Sequence, residues 1–276
     1  MEVNYNNCNW NEYYTKYPDL KLNGLTNNKT SVWNHWINHG KKEGREMNDH
    51  FRIIIATIVK DEDDIIKDWI LYYGNLFGYS NLYIIDNYST DKTYEICESF
   101  VSKGLNLSRE KDYKLKGEYM TKIMKNNKCN LFIPIDIDEF IVYYDENSNN
   151  VRVDNILTYL KKLYLSSRYA YFKMKYIYPI KTNNENSLLQ FTKGNICDLK
   201  NWNKTFINND LINNNNLLID HGNHLHSVVY ITSNLCLVHY HHRSHDQYLK
   251  KVSANVSGLG YSNDLEELKK KIHEDP

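Results

Sequence analysis

The sequence predicts an α/β fold, from two unbroken apolar runs that each end in acids and from the helical patterns between them. Ile53-Ile54-Ile55-Ala56-Thr57-Ile58-Val59 and Leu131-Phe132-Ile133-Pro134-Ile135 read as strands buried on both faces of a parallel sheet. The first runs into Lys60-Asp61-Glu62 and the second into Asp136-Ile137-Asp138-Glu139-Phe140. Strand-helix alternation builds such a sheet with right-handed crossovers, and ligands gather beyond the carboxyl ends of its strands, where these charges stand.

Taken in order, residues 1–48 form a small helical module and residues 49–276 the main domain. In the module Trp10, Tyr13, Tyr14 and Tyr17 recur at helical spacing up to Pro18. A second run with Trp33, Trp36 and Ile37 ends near Gly40 and Gly44. His35 and His39 share one helix face and could bind metal, although packing is the commoner role of such a pair. After the first long strand, Ile65, Ile66, Trp69, Ile70 and Tyr73 line a helix expected to stop at Gly74. Asn81–Asp86 is the second strand, and Ser89 or Thr90 could cap the helix that carries Tyr94, Cys97 and Val101. A short strand at Leu105–Leu107 and a helix over 118–128 lead into the acid-tipped strand. Beyond it come a helix over 153–165, an antiparallel strand over 169–178, polar Asn-rich loops over 181–216, a strand over 235–240, and helices near 246–252 and 264–272.

Composition narrows the function. Lys+Arg and Asp+Glu balance at 34 each, so no global charge points to nucleic acid or to an acidic membrane. The five cysteines are scattered without paired spacing, as buried thiols of a reducing compartment would be. No signal-like start and no span-length apolar stretch is present, so a soluble, non-secreted, cytoplasmic protein is expected.

Asp136 and Asp138 stand two apart, which on extended chain turns both side chains the same way. Two converging carboxylates favour an intervening divalent cation, and hard oxygen ligands suit Mn2+ or Mg2+ with positions left for substrate phosphates. The plainer alternative is a solvated acidic strand end.

Lys60-Asp61-Glu62 with Trp69, then Ile85-Asp86-Asn87-x-Ser89-x-Asp91, then Ile135-Asp136-Ile137-Asp138-Glu139-Phe140, together resemble the GT-A glycosyltransferases, in a family-2-like and family-92-like subgroup. A fourth segment, Val238-His239-Tyr240-x-x-Arg243-Ser244, is similar to that subgroup's C-terminal His-Tyr-x-x-Lys-Ser, with Arg243 replacing Lys; Asp61 likewise replaces the commoner Asn. The resemblance covers roughly residues 51–252. It implies a GT-A fold, with a mostly parallel central sheet flanked by helices, and a metal-dependent transfer of a hexosyl or N-acetylhexosaminyl group. The donor would be a nucleotide-diphosphate sugar, most often UDP-linked, and the acceptor a hydroxyl of a glycan, protein or small molecule. It also implies that Asp138 ligates the metal, that Asp136 contacts the metal or the ribose, and that His239 is a further ligand. Lys204 and Arg243 would reach the phosphates. Thr57, Val59, Lys60, Glu62, Asp86, Asn87, Ser89 and Ile137 would line the nucleotide pocket, with Lys116 and Tyr119 as looser members. The N-terminal pattern Tyr13-Tyr14-x-x-Tyr17-Pro18-Asp19-Leu20 resembles a module found beside bacterial and giant-virus glycosyltransferases, which brings a virus-encoded enzyme acting in host cytoplasm among the expectations.

Seven of the 11 histidines (His221, His224, His226, His239, His241, His242, His245) fall in one tract, yet no His-Glu-x-x-His or Cys-paired zinc pattern is present. Asp220 or His221 could serve as the base that an inverting transfer needs, or either could be structural. A retaining reaction would need no such base. Two rival readings remain. One is a nucleotidyltransferase, which usually carries a Gly-rich basic loop where this chain has Lys60-Asp61-Glu62-Asp63-Asp64. The other is an inactive carbohydrate-binding or scaffold protein that uses the aromatic N-terminus as its contact surface.

Overall fold

The structure, a computed structural model, describes residues 3–6, 8–45, 47, 51–166, 171–179, 194–197, 204–208, 218–223 and 230–240. The chain divides into two compact units, residues 1–51 and 52–276.

In the first unit α1 (Trp10–Lys16) ends just before Pro18, which opens α2 (Asp19–Leu22). Then α3 (Lys29–His35), capped by Asn28 through a 2.9 Å bond from Ser31 N, passes into a π-helical turn at Trp36–Gly40. Tyr13, Leu20, Val32, Trp36 and Met47 make its core. Arg45 locks the unit by bonding both oxygens of Asp19, at 3.0 and 2.9 Å, while lying 4.9 Å over the Tyr17 ring. Tyr13 OH sits 3.1 Å from His35 Nδ1, so His35 is tied into packing, while His39 is exposed.

The second unit is α/β with a parallel-strand sheet and flanking helices. β1 (Ile53–Val59), α4 (Ile66–Phe77), β2 (Leu82–Asp86), α5 (Thr93–Glu98), β3 (Asn106–Arg109), α6 (Lys116–Asn126) and β4 (Leu131–Pro134) alternate as the sequence predicts. β5 (Glu139–Asp145), β6 (Asn150–Arg152), α7 (Ile156–Ser166), β7 (Tyr171–Pro179), β8 (Gly194–Cys197), β9 (Thr205–Asn208) and β10 (Tyr230–His239) follow. The sheet order is β3-β2-β1-β4-β9-β7-β10-β5-β6, with β8 on β7. Its first four strands run parallel; the later ones join antiparallel, except β10 beside β7, so the whole sheet is mixed. β8 and β9 lie in the stretch expected to be loop: β9 is short and polar at both ends, and pairing with β4 and β7 makes it a strand. The helices expected near 246–252 and 264–272 lie outside the described residues.

Every residue of β1 and β4 is buried. Ile54, Ala56, Ile58 and Phe132 join Met120 and Met124 of α6 in one cluster. The helix α4 continues past the expected stop, through Gly74 to Phe77, and ends at Gly78, whose φ of 88° suits a residue without a Cβ. Gly74 is small for another reason: a Cβ there would lie 2.3 Å from the Tyr79 ring.

Tyr73 on α4 fixes the start of β5. Its hydroxyl donates to Glu139 O at 2.9 Å and accepts from Ile141 N at 3.0 Å, while its ring stacks on Phe140. Burial holds the phenol far above its usual pKa, so the hydroxyl remains a donor. Tyr73→Phe should therefore destabilise the protein by about 1–3 kcal/mol, because two buried backbone groups lose their partner. Leu165→Ala, at a side chain 71 % exposed, should stay within about 0.5 kcal/mol. Urea unfolding midpoints of the two variants check both values.

Candidate active site

β1 and β2 end together, with Val59 opposite Asp86, while β4 stops earlier on the same side, with Pro134 opposite Ala56. The loops after β1 and β2 are laced to each other. Asp61, at φ 53°, accepts from Thr90 N at 2.6 Å and donates its own N–H to Ser89 Oγ at 3.1 Å. Glu62 N donates to Thr93 Oγ1 at 2.8 Å and Asp63 N to Asp91 Oδ2 at 3.3 Å. Asp91, not Ser89 or Thr90, receives the first N–H of α5, from Thr93 at 2.9 Å.

Much of the expected nucleotide pocket is therefore the frame of a rim. Thr57, Val59 and Glu62 are buried, as is Ile137. Asp86 is fully buried, accepts from Arg109 Nε at 2.8 Å and takes the N–H of Ser89 at 3.2 Å. Asn87 donates to the carbonyls of Glu110 and Lys111 at 2.7 and 2.8 Å. Lys60 stands exposed at the end of β1, and Tyr119 is half-buried against the α6 cluster. Sequence reasoning missed Tyr88, which is exposed at φ 53° with the Arg109 guanidinium 4.7 Å from its ring; an aromatic residue between Asn87 and Ser89 was the available signal.

The acid motif does not take the form expected of it. Residues 136–139 make a turn closed by Glu139 N donating to Asp136 O at 3.2 Å, so the chain is not extended and the two aspartates point to different partners. Lys116 Nζ, at the start of α6, bonds Asp136 Oδ1 at 2.7 Å, and Lys204 Nζ bonds Asp136 Oδ2 at 2.6 Å. Both oxygens of Asp136 thus lie on ammonium groups, and the two lysines that the resemblance turns toward the nucleotide meet on this carboxylate. Both lysines are buried and turned onto Asp136, and Lys204 also donates to Gly222 O at 2.8 Å. Burial alone would raise the Asp136 pKa; the two lysines outweigh it and hold the carboxyl well below the usual range. Burial would likewise lower Lys204, and Asp136 and Glu139 raise it instead.

Asp138, 1 % exposed, lies against His239. The antiparallel register of β5 and β10 sets Glu139 opposite His239, and Tyr240 N donates to Asp138 O at 2.8 Å, one step beyond the ladder. His239 Nε2 consequently lies 3.2 Å from Asp138 Oδ2. Glu139, given no role from sequence, ties the group together. It accepts from Asp136 N at 2.8 Å and Tyr176 OH at 2.9 Å, and lies 3.8 Å from Lys204 Nζ. Burial pushes its carboxyl upward, against the pull of Lys204. The adjacency of Glu139 to the Asp136-x-Asp138 pattern was the sequence signal for it.

Asp220 and His221 sit on a loop docked to α6. Ile219 N donates to Thr121 Oγ1 at 2.9 Å, and a Cβ on Gly117 would stand 2.4 Å from Ile219 O. His221 packs edge-on against Tyr113, and burial, then Lys116, lowers its pKa. Buried Asn223, at φ 62°, reaches Asp136 Oδ1 at 3.5 Å. Arg243, with His224, His226, His241, His242 and His245, lies outside the described residues.

The pair Asp138–His239 is fit to hold a divalent cation. Neighbouring ligands of an octahedral Mg2+ at about 2.1 Å stand about 3.0 Å apart, close to the spacing observed, and carboxylate with imidazole suits Mn2+. Among the described residues no group of three or more His, Cys, Asp or Glu side chains gathers round one point.

No family model and no curated protein matches the chain. Among solved structures, it is similar to S. aureus TarS 1–349, at 12 % identity and TM-score 0.44, over 79 % of this chain and 68 % of that one. The complex of TarS 1–349 with UDP gives 13 % identity and TM-score 0.42 over the same shares. Glucosyl-3-phosphoglycerate synthase from Mycobacterium tuberculosis, in complex with Mg2+ and UDP, gives 14 % identity and TM-score 0.42, over 77 % of this chain and 81 % of that one.

The lowered Asp136 pKa fixes the sign of an acid effect. Its contribution is present above the unfolded value of 3.8 and is lost as pH falls toward the folded one. Asp136→Asn should destabilise at pH 7, and the gap to wild type should narrow below pH 3.8, read from urea midpoints across that range.

Proposed function

We propose that residues 52–276 are a metal-dependent glycosyltransferase of the GT-A type, moving a sugar from a UDP-sugar to a hydroxyl acceptor. The observation that carries this reading is the pairing of Asp138 with His239 at the end of the sheet. The sequence resemblance assigns both to the cation, with Asp136 contacting the metal or the ribose, and strand register brings Asp138 and His239 together from distant parts of the chain. Bound there, Mn2+ or Mg2+ would neutralise charge on the departing diphosphate as a Lewis acid.

The chain's own residues do the rest of the work. Asp136, whose side chain is 34 % exposed, keeps an open edge that suits a ribose hydroxyl, the alternative role that the resemblance allows it. Lys60, exposed at the end of β1, would meet the diphosphate. His221 takes the acceptor's proton, since its lowered pKa leaves it neutral at pH 7. A nucleotidyltransferase fits less well: the loop after β1 carries acids and is bonded to residues 89–93, with no glycine-rich cradle.

Thermal shift tests the reading. UDP with Mn2+ at about a hundred times the dissociation constant should stabilise the protein by roughly 2.7 kcal/mol. Asp138→Ala and His239→Ala should each abolish that shift. Absence of any shift in the wild type, with any nucleotide and either metal, would contradict the proposal and favour the scaffold reading. UDP release across a panel of UDP-sugars then identifies the donor.

The base has its own test. Turnover should fall as pH drops through the lowered His221 pKa, below the usual 6.5. His221→Gln should reduce kcat by about 10²–10⁴ and remove that acid limb. An intact limb in His221→Gln would move the role to Asp220.

A further inference from the structure

Lys204 is a buried cation. It immediately precedes β9, whose backbone is held on one side by β4 (Phe132 opposite Ile207) and on the other by β7 (Lys173 opposite Thr205). From that fixed base its Nζ makes two short bonds in different directions: 2.6 Å to Asp136 Oδ2 in the turn that carries Asp138, and 2.8 Å to Gly222 O in the loop that carries Asp220 and His221. Glu139 Oε1, at 3.8 Å, balances the remaining side of the ammonium. A lysine suits this place because one ammonium offers three donors at the end of a flexible stem. Asn223 reinforces the same join through Asp136 Oδ1.

We propose that Lys204 is a positioning residue: it fastens the Asp220–His221 loop to the Asp136–Asp138 turn, so that the cation-holding acid and the acceptor-side base keep one spacing. This rests on the function proposed above for its purpose, although the tether itself is independent of any ligand. The loop has a second anchor on α6, where Gly117 lets Ile219 O come close and Thr121 Oγ1 receives Ile219 N. Lys204 therefore sets where the Gly222 end of the loop lies relative to the donor side, while α6 holds the Ile219 end. What happens at the cation is transmitted to the loop chiefly through this ammonium, with the longer Asn223 bond as the weaker second link.

Hydrogen exchange on the full chain, read by mass spectrometry over the 218–223 peptide, tests the tether. In ligand-free Lys204→Met that peptide should exchange about tenfold faster or more, as loss of a charged hydrogen bond implies, while β1 amides keep wild-type rates. Lys204→Arg should restore part of the protection. Addition of UDP with Mn2+ should slow exchange at 218–223 in the wild type. In Lys204→Met it should not, even where calorimetry shows that UDP with Mn2+ still binds. A merely structural lysine would change the stability of the whole unit and leave that coupling in place. Unchanged exchange at 218–223 in Lys204→Met overturns the proposal. If Lys204→Met does not fold, Lys204→Arg carries the test: its planar fork does not reproduce both short bonds, so the nucleotide-dependent protection at 218–223 should be weaker than in the wild type, and protection equal to the wild type overturns the proposal. Failure of UDP with Mn2+ to bind the wild type would defeat the function instead, and the ligand-free comparison would still decide the tether.

Discussion

The clasp of two ammonium groups on the Asp136 carboxylate is the interaction on which the rest of this site depends. Taking such charges out of water costs several kcal/mol each, and only close mutual pairing offsets that. The lysines come from separate places, one at the start of α6 and one just before β9, so the turn after β4 is gripped from two sides. Glu139 completes the grip by taking the Asp136 N–H and the Tyr176 hydroxyl. A buried ion pair is weak grounds for stability, but here it specifies a shape: Asp136 lies between two lysines and Asp138 meets His239.

That meeting joins the last residue of the turn to the last residue of a strand, and the sheet fixes its spacing. β5 begins at Glu139, directly after the turn, and the Tyr73 hydroxyl pins its first residues. β10 then runs antiparallel to it, so the residue before β5 and the last residue of β10 come side by side. Sites built on strands hold their geometry better than sites on loops, because ladder hydrogen bonds and core packing restrain both partners. The acids Asp136, Asp138 and Glu139 face two buried lysines, so a divalent cation at Asp138 would add positive charge where the acids otherwise prevail.

The sequence carried the fold further than the site. β1 and β4 were legible because a strand buried on both faces must be apolar throughout, and α4 because its apolar residues recur at helical spacing. β9 was not legible: its two buried residues, Phe206 and Ile207, are flanked by polar ones, and its pairing comes from strands distant in sequence. Asp138 with His239 followed from motif resemblance and came together in space. Asp136 did not behave as its spacing suggested, since the two-apart rule holds for extended chain and these residues turn. Asp86, Asn87 and Ser89 look like ligand contacts in one dimension. In three dimensions their polar groups bond Arg109, neighbouring backbone and the Asp61 loop. Lys204 could not be assigned to its partners from sequence, because both of its short bonds join it to segments far along the chain.

The most direct measurement is anomalous diffraction at the manganese edge from crystals grown with UDP and Mn2+. The account predicts one peak beside Asp138 Oδ2 and His239 Nε2, with Asp136 still held by Lys116 and Lys204. A peak bridging Asp136 and Asp138, or no ordered manganese at this end of the sheet, would contradict it.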